Sequence, residues 1–141
     1  KLGESSSLAF HDFYRLSSHA VICNAQQQVL LLKATYADQA WGLPGGALDM
    51  GETIHEALIR ECQEEIGCQV QVGYLSGVYF HAAVQSHAFI FRCHVPEDAQ
   101  IQLSDEHDEY RWFDLAQLAP VQRTRVEDCL NFQGNVISRS F

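Results

Sequence analysis

No apolar run in the 141 residues approaches the roughly 18 needed to cross a bilayer, which excludes a spanning helix. Basic residues are scarce: 9 Lys and Arg stand against 18 Asp and Glu, and the formal net charge of -9 argues against duplex nucleic acid or an anionic lipid surface as partner. An acidic chain that handles phosphates then needs a local device, such as a divalent cation held between carboxylates and phosphate. There is no CxxC pair and no close Cys/His spacing, so the five cysteines suggest neither a disulfide framework nor a zinc site. Cys23, Cys62, Cys68 and Cys93 sit in apolar sequence and read as small buried hydrophobes of a reducing compartment, whereas Cys129 does not. No repeat, low-complexity tract or linker splits the chain, so one domain over residues 1–141 is expected. Its start, residues 1–7, is polar, lacks the apolar stretch of a secretory leader, and is expected to be flexible. A soluble, cytoplasmic protein is the expectation.

What is present is ordinary globular composition, 47% apolar and 11% aromatic. Leu16–Cys23 and Val29–Leu32 read as strands joined by the polar turn Asn24–Gln28. Trp41-Gly42-Leu43-Pro44-Gly45-Gly46 opens a structured loop. Thr53–Ile66 has no Gly or Pro, carries Ile54, Leu58, Cys62 and Ile66 every fourth position, and is bounded by Gly51 and Gly67, which predicts a long helix. Val70–Phe80, Ala88–Val95 and Glu109–Phe113 read as further strands, Asp114 as the cap of a brief helix through Leu118, and Arg123–Phe132 as a last helix. Strands outnumber helices, which predicts the α+β class, a mixed sheet packed against helices.

Glu61, Glu64 and Glu65 fall at i, i+3 and i+4 of the long helix, within an arc of about 100°. Two readings compete, a solvated face and a bound cation. Glu61 lies seven residues beyond Ile54 and Glu65 seven beyond Leu58, nearly two turns, so the inward side of the helix turns acidic in its second half. Glu56, Arg60 and Gln63 take the outer face. Carboxylates at the edge of a core are costly unless paired or bound to metal, which favours the cation.

From Gly46, five residues lead to Glu52, seven more to Arg60-Glu61, and then come Glu64-Glu65 and Gly67. This resembles the Nudix box of the Nudix hydrolases at seven defined positions. At about 6–7% usage per residue type, such a match arises on the order of once in 10^8 windows. Cys62 and Cys68 fill positions where the family pattern is apolar, and Trp41–Gly45 is similar to the usual approach to the box. The resemblance implies an α/β/α sandwich with a mixed sheet and one long catalytic helix, of the small MutT-like kind. It implies a pyrophosphohydrolase in which water attacks phosphorus with Mg2+ or Mn2+ as cofactor. The implied partner is a small-molecule nucleotide or nucleoside diphosphate derivative, and homodimers are common among relatives.

Carried over by position, Arg60, Glu61, Glu64 and Glu65 resemble the catalytic set. The resemblance implies that the three glutamates bind metal, joined by a backbone carbonyl at Gly45, that Gly46, Glu52 and Gly67 support the site, and that Arg60 pairs with Glu52. Family members differ in where the general base lies. Glu106 and Glu109, in the acidic run Asp105–Glu109, are candidates for an extra metal-binding or basic glutamate, with a solvated loop as the alternative. Lys33 is a candidate phosphate contact or else a surface lysine. His81, His87 and His94 are spaced too irregularly for one strand face and read as strand or surface residues, and Phe80, Phe89, Phe91 and Trp112 as core. Members that cleave ADP-ribose often carry a proline where this chain has Ala83, and those that cleave dinucleoside polyphosphates a tyrosine where it has Val84, Gln85 and Ser86. Neither is met, which tilts the expectation toward a nucleoside triphosphate or related nucleotide. The alternative is a Nudix-fold module that senses a nucleotide without turning it over.

Overall fold

The structure, a computed structural model, describes residues 10–141; the polar start at residues 1–7 lies outside them. Thr53 settles where the long helix begins. Its hydroxyl accepts from the Glu56 amide at 3.1 Å and its own amide donates to Glu56 Oε1 at 2.9 Å, a reciprocal cap that satisfies two otherwise orphaned donors. Helix α1 (Ile54–Ile66) ends where Gly67 enters the left-handed region at φ 68°, its amide bonded to the Gln63 carbonyl at 3.1 Å.

Among the described residues, eight strands follow in chain order as β1 (Arg15–Val21), β2 (Val29–Ala34), β3 (Trp41–Gly42), β4 (Gly45–Ala47), β5 (Gln71–His81), β6 (Ser86–His94), β7 (His107–Phe113) and β8 (Ile137–Ser140). One sheet runs β4-β1-β6-β5-β8 and the other β3-β2-β7. The β1/β6 and β5/β8 pairs are parallel and the others antiparallel, so the larger sheet is mixed. Alternation along β1 sends Ala20 toward a core with Leu58, Cys62 and Ile66 of α1, and Val21 toward a second core with Tyr79, Ile90, and Val126 and Cys129 of α2 (Pro120–Leu130). The fold is therefore α+β, with helices on both faces.

The differences from the sequence expectation have local causes. Helix α2 starts at Pro120 rather than Arg123, because proline's fixed φ suits the first turn and its missing amide costs nothing there. That start places Val126 and Cys129 three residues apart toward the sheet, so Cys129 is fully buried while Cys23 is only half-buried, the reverse of the expectation. β7 begins at His107 rather than Glu109, since Ala34 pairs with His107 across a bulge. The short strands β3, β4 and β8 carry no sequence signal of their own. No helix among the described residues is long and apolar enough to cross a membrane.

Candidate active site

The site forms where β4 lies against β1 and the second half of α1. Gly45 pairs with His19 at a φ of 138°, and a Cβ there would fall on the Ser18 carbonyl and the His19 Cα. This close approach aims the Gly45 amide at α1, where it donates to Glu65 Oε1 at 2.8 Å. The Gly45 contribution seen here is thus a donor to Glu65. Glu65 is 5% exposed, and burial pushes its carboxyl up to about 8, against the pull of the Gly45 amide. Glu61, half-buried one turn earlier, is also raised by burial, with Arg60 opposing and Glu64 and Glu106 adding to the shift. Gly46 leaves the space that the Glu61 carboxylate occupies.

Arg60 organises the loop before the helix. Its Nε donates to Glu52 Oε2 at 2.6 Å and its Nη2 to Glu52 Oε1 at 2.9 Å, a two-pronged pair. The same guanidinium reaches the Ala47 carbonyl at 3.1 Å and Glu64 Oε1 at 3.1 Å, while Glu52 also accepts from the Asp49 amide at 2.8 Å. The Arg60 hydrogen bonds hold Glu52 below the usual carboxylate range, and Glu52 in turn raises Arg60. Of the three box glutamates, Glu61 and Glu65 turn inward while Glu64, its side chain 58% exposed, is engaged by Arg60. Gly67 stops the helix two residues past Glu65.

Glu106 lies close enough for its charge to raise Glu61 and Glu65, and its backbone carbonyl is tied to the Thr35 amide at 2.9 Å. Glu109 instead accepts from Arg111 at 2.7 Å on the exposed side of β7. Lys33 pairs across β2 with Trp41 and Glu109, outside the residues that line the cleft. His81 meets Arg125, His87 packs against Tyr14 and Phe80, and Phe91 is fully buried in the core beneath α1.

The cleft has a volume of about 290 Å³ and is lined by Glu65, Gly45, Gly46, Tyr36, His19 and His107, among others. The Nδ1 atoms of His19 and His107 are buried there with no hydrogen-bond partner. Sequence reasoning missed both histidines: His19 is one of many alternating β1 residues, whereas His107, directly after Glu106, was marked only by the acidic run.

A hard divalent cation fits this donor set of carboxylate oxygens, in which Glu65 is buried with no ion pair and Glu61 is half-buried 3.6 Å from Arg60. As arranged, no three His, Cys, Asp or Glu side chains among the described residues converge into a ready-made cage.

Comparison with known proteins agrees. The family model described as NUDIX domain matches residues 13–129. A MutT-like protein of Streptomyces ambofaciens is 34% identical over 109 residues, covering 74% of this chain and 70% of that protein. An RNA pyrophosphohydrolase of Blochmanniella pennsylvanica is 41% identical over 58 residues, 41% of this chain and 37% of that protein, so the chain spans well under half of that relative. The crystal structure of an ADP-ribose pyrophosphatase from Streptococcus suis superposes with a TM-score of 0.76, covering 90% of this chain and all of that one, at 19% identity, which speaks to the fold. The family match over residues 13–129, together with the MutT-like relative, shows that this chain belongs to the Nudix family, hydrolases of phosphoric anhydride bonds.

Proposed function

We propose that the chain is a divalent-metal-dependent pyrophosphohydrolase that cleaves a nucleoside diphosphate linked to another moiety, with a nucleoside triphosphate or related nucleotide as substrate. The observation that carries this reading is the buried Glu65, bonded to the Gly45 amide and set beside Glu61, with Arg60 committed to Glu52 and Glu64. Glu61, Glu64 and Glu65 would hold the Mg2+ or Mn2+, with Gly45 at the edge of the same site and Glu106 as a further carboxylate. When bound, the cation supplies neutralisation of phosphate charge and a more acidic water. The protein's own groups do the rest. Arg60 fixes the loop at Glu52 and Ala47, so that β4 presents Gly45 and Gly46 to the helix. Burial raises both Glu61 and Glu65, and the Glu61 charge adds to the rise at Glu65, which equips a carboxylate here to accept a proton from the attacking water near neutral pH.

The RNA pyrophosphohydrolase relative supports a substrate carrying a nucleoside phosphate chain. All five cysteines are free, which supports a reducing, cytoplasmic setting. The test is release of phosphate or pyrophosphate from nucleoside triphosphates, ADP-sugars and dinucleoside polyphosphates, with Mg2+, with Mn2+ and with chelator, for wild type beside Glu65→Gln. Turnover that needs metal and disappears in the variant supports the hydrolase. Nucleotide binding without turnover of any compound would replace it with a sensing module.

A further inference from the structure

The cleft beside Glu65 is lined by two unlike sets of residues. Gly45, Gly46 and Glu65 bring the box, while Leu32, Ala34, Tyr36, Ala40, Trp41 and Leu43 supply an apolar remainder. No lysine or arginine lines it, so a phosphate chain here meets no permanently charged side chain and depends on a bound cation. The apolar part disfavours a further anionic group, and what suits it is flat and uncharged. At about 290 Å³ the cleft lies at the low end of the roughly 300–1,000 Å³ of small-molecule sites, a size for one ring system rather than a whole nucleotide.

Of the two large aromatic side chains in this lining, only one is committed elsewhere. The Trp41 indole meets Phe113 edge-on at 5.1 Å and lies under the Arg111 guanidinium at 5.0 Å. Tyr36 is 59% exposed, and none of the ring pairs among the described residues includes it. Its backbone, by contrast, is held on both sides. The Thr35 amide and hydroxyl donate to the Glu106 carbonyl at 2.9 and 3.2 Å, the Ala34 amide to the Ala40 carbonyl at 3.0 Å, and the Gln39 amide to the Tyr36 carbonyl at 3.0 Å. The turn between β2 and β3 puts two successive residues with side chains, Asp38 and Gln39, in the left-handed region at φ 59° and 57°, a strained conformation that these ties maintain. An exposed ring on a fixed backbone loses little freedom on stacking, since only two side-chain torsions remain to be ordered. The Thr35 bonds also join the segment that carries this ring to the one that carries Glu106.

We propose that Tyr36 stacks on the base of the nucleotide whose phosphate chain lies at the box carboxylates, so that the site selects a nucleoside phosphate over a bare polyphosphate. The inference rests on the reading of the chain as acting on a nucleotide and deepens it. Every base presents a π-face, so Tyr36 supplies affinity for the nucleoside part and leaves the choice among bases to other contacts.

The test is calorimetric binding in Mg2+ of ATP, GTP, CTP and UTP analogues that carry methylene groups in place of both anhydride oxygens, with methylenediphosphonate as the control that lacks a base. Wild type, Tyr36→Ala and Tyr36→Phe are compared. Tyr36→Ala should weaken the analogue that wild type binds best by about 10- to 100-fold and leave methylenediphosphonate within about twofold. Tyr36→Phe, which keeps the ring and loses the hydroxyl, should stay within about twofold of wild type for both. All three proteins should melt at nearly the same temperature, because an exposed ring contributes little packing. Equal weakening of analogue and methylenediphosphonate in Tyr36→Ala would make the residue structural or a phosphate contact and overturn the proposal. So would a Tyr36→Phe that binds as poorly as Tyr36→Ala, a Tyr36→Ala that binds like wild type, or a wild type that binds none of the analogues. The hydrolase reading is decided separately by turnover of the unmodified compounds: turnover with equal kcat/KM in wild type and Tyr36→Ala would remove the stacking and leave the hydrolase, whereas analogue binding that depends on Tyr36 without turnover of any compound would do the reverse.

Discussion

Gly46 and Glu61 share one space: a Cβ on Gly46 would overlap the Glu61 carboxylate. The glycine is what allows a strand backbone to lie against a half-buried acid. Gly46→Ala should therefore displace Glu61, lowering kcat by about 10- to 100-fold with little loss of stability, because what gives way is the far end of a flexible side chain. Steady-state kinetics and denaturant melts of Gly46→Ala check this. Unchanged kcat would show that the position of Glu61 is not needed.

Arg60 joins helix to loop through Glu52, Ala47 and Glu64. Arg60→Ala removes all three links at once and leaves the Glu61/Glu64/Glu65 cluster without its only neighbouring cation among the described residues. It should lower Tm by several degrees and reduce activity more than tenfold. Arg60→Lys should recover part of the stability and little of the activity, since a lysine lacks the two-pronged geometry. Melting curves and kcat/KM of both variants test the difference; equal rescue of both properties by lysine would reduce Arg60 to a point charge.

Helix α1 was legible because its signals are local: the Thr53 cap with Glu56, the four-residue recurrence of Leu58, Cys62 and Ile66, and the stop at Gly67. The inward turn of Glu65 followed from the same periodicity, and the pairing of Arg60 with Glu52 from the resemblance. β4 and β8 were not legible, because strands of three and four residues exist only through their partners, β1 and β5. Glu64 lies on the predicted arc, yet a basic neighbour four residues earlier turns it outward. His81 and Arg125 lie on different elements, and no spacing in the sequence announces that they meet at 3.1 Å.

β8 is exposed along its whole length, so packing does little to hold it. Arg139 instead grips Asp128 of α2 at 2.7 and 3.0 Å, and the Tyr79 hydroxyl completes the clamp at 2.8 Å. Asp128→Asn should weaken it, seen as faster hydrogen exchange at residues 137–140 with little change in α1. The Arg139 hydrogen bond holds the Asp128 carboxyl below its ordinary value of 3.8, so its contribution is present above that pH and is lost as pH falls through the lower folded value. The exchange difference between wild type and Asp128→Asn should therefore shrink in strong acid. Equal protection of β8 in both proteins at neutral pH would remove the clamp from the account.

Glu65 gives the opposite sign. Its folded value, about 8, lies above the ordinary 4.5, so the unfolded chain releases the proton first as pH rises. The associated stability is fully present below about 4.5 and is lost as pH climbs through about 8, provided no cation is bound. In chelator, wild type should lose several degrees of Tm across that window beyond what Glu65→Gln loses, because glutamine keeps the shape without a charge to desolvate. Adding Mg2+ should flatten the wild-type slope, since a bound cation stabilises the ionised form, and should leave Glu65→Gln nearly unmoved. A set of melts at stepped pH, with chelator and with Mg2+, reads both effects. Parallel slopes for wild type and Glu65→Gln in chelator would mean that the buried carboxyl is not the group that couples this site to pH.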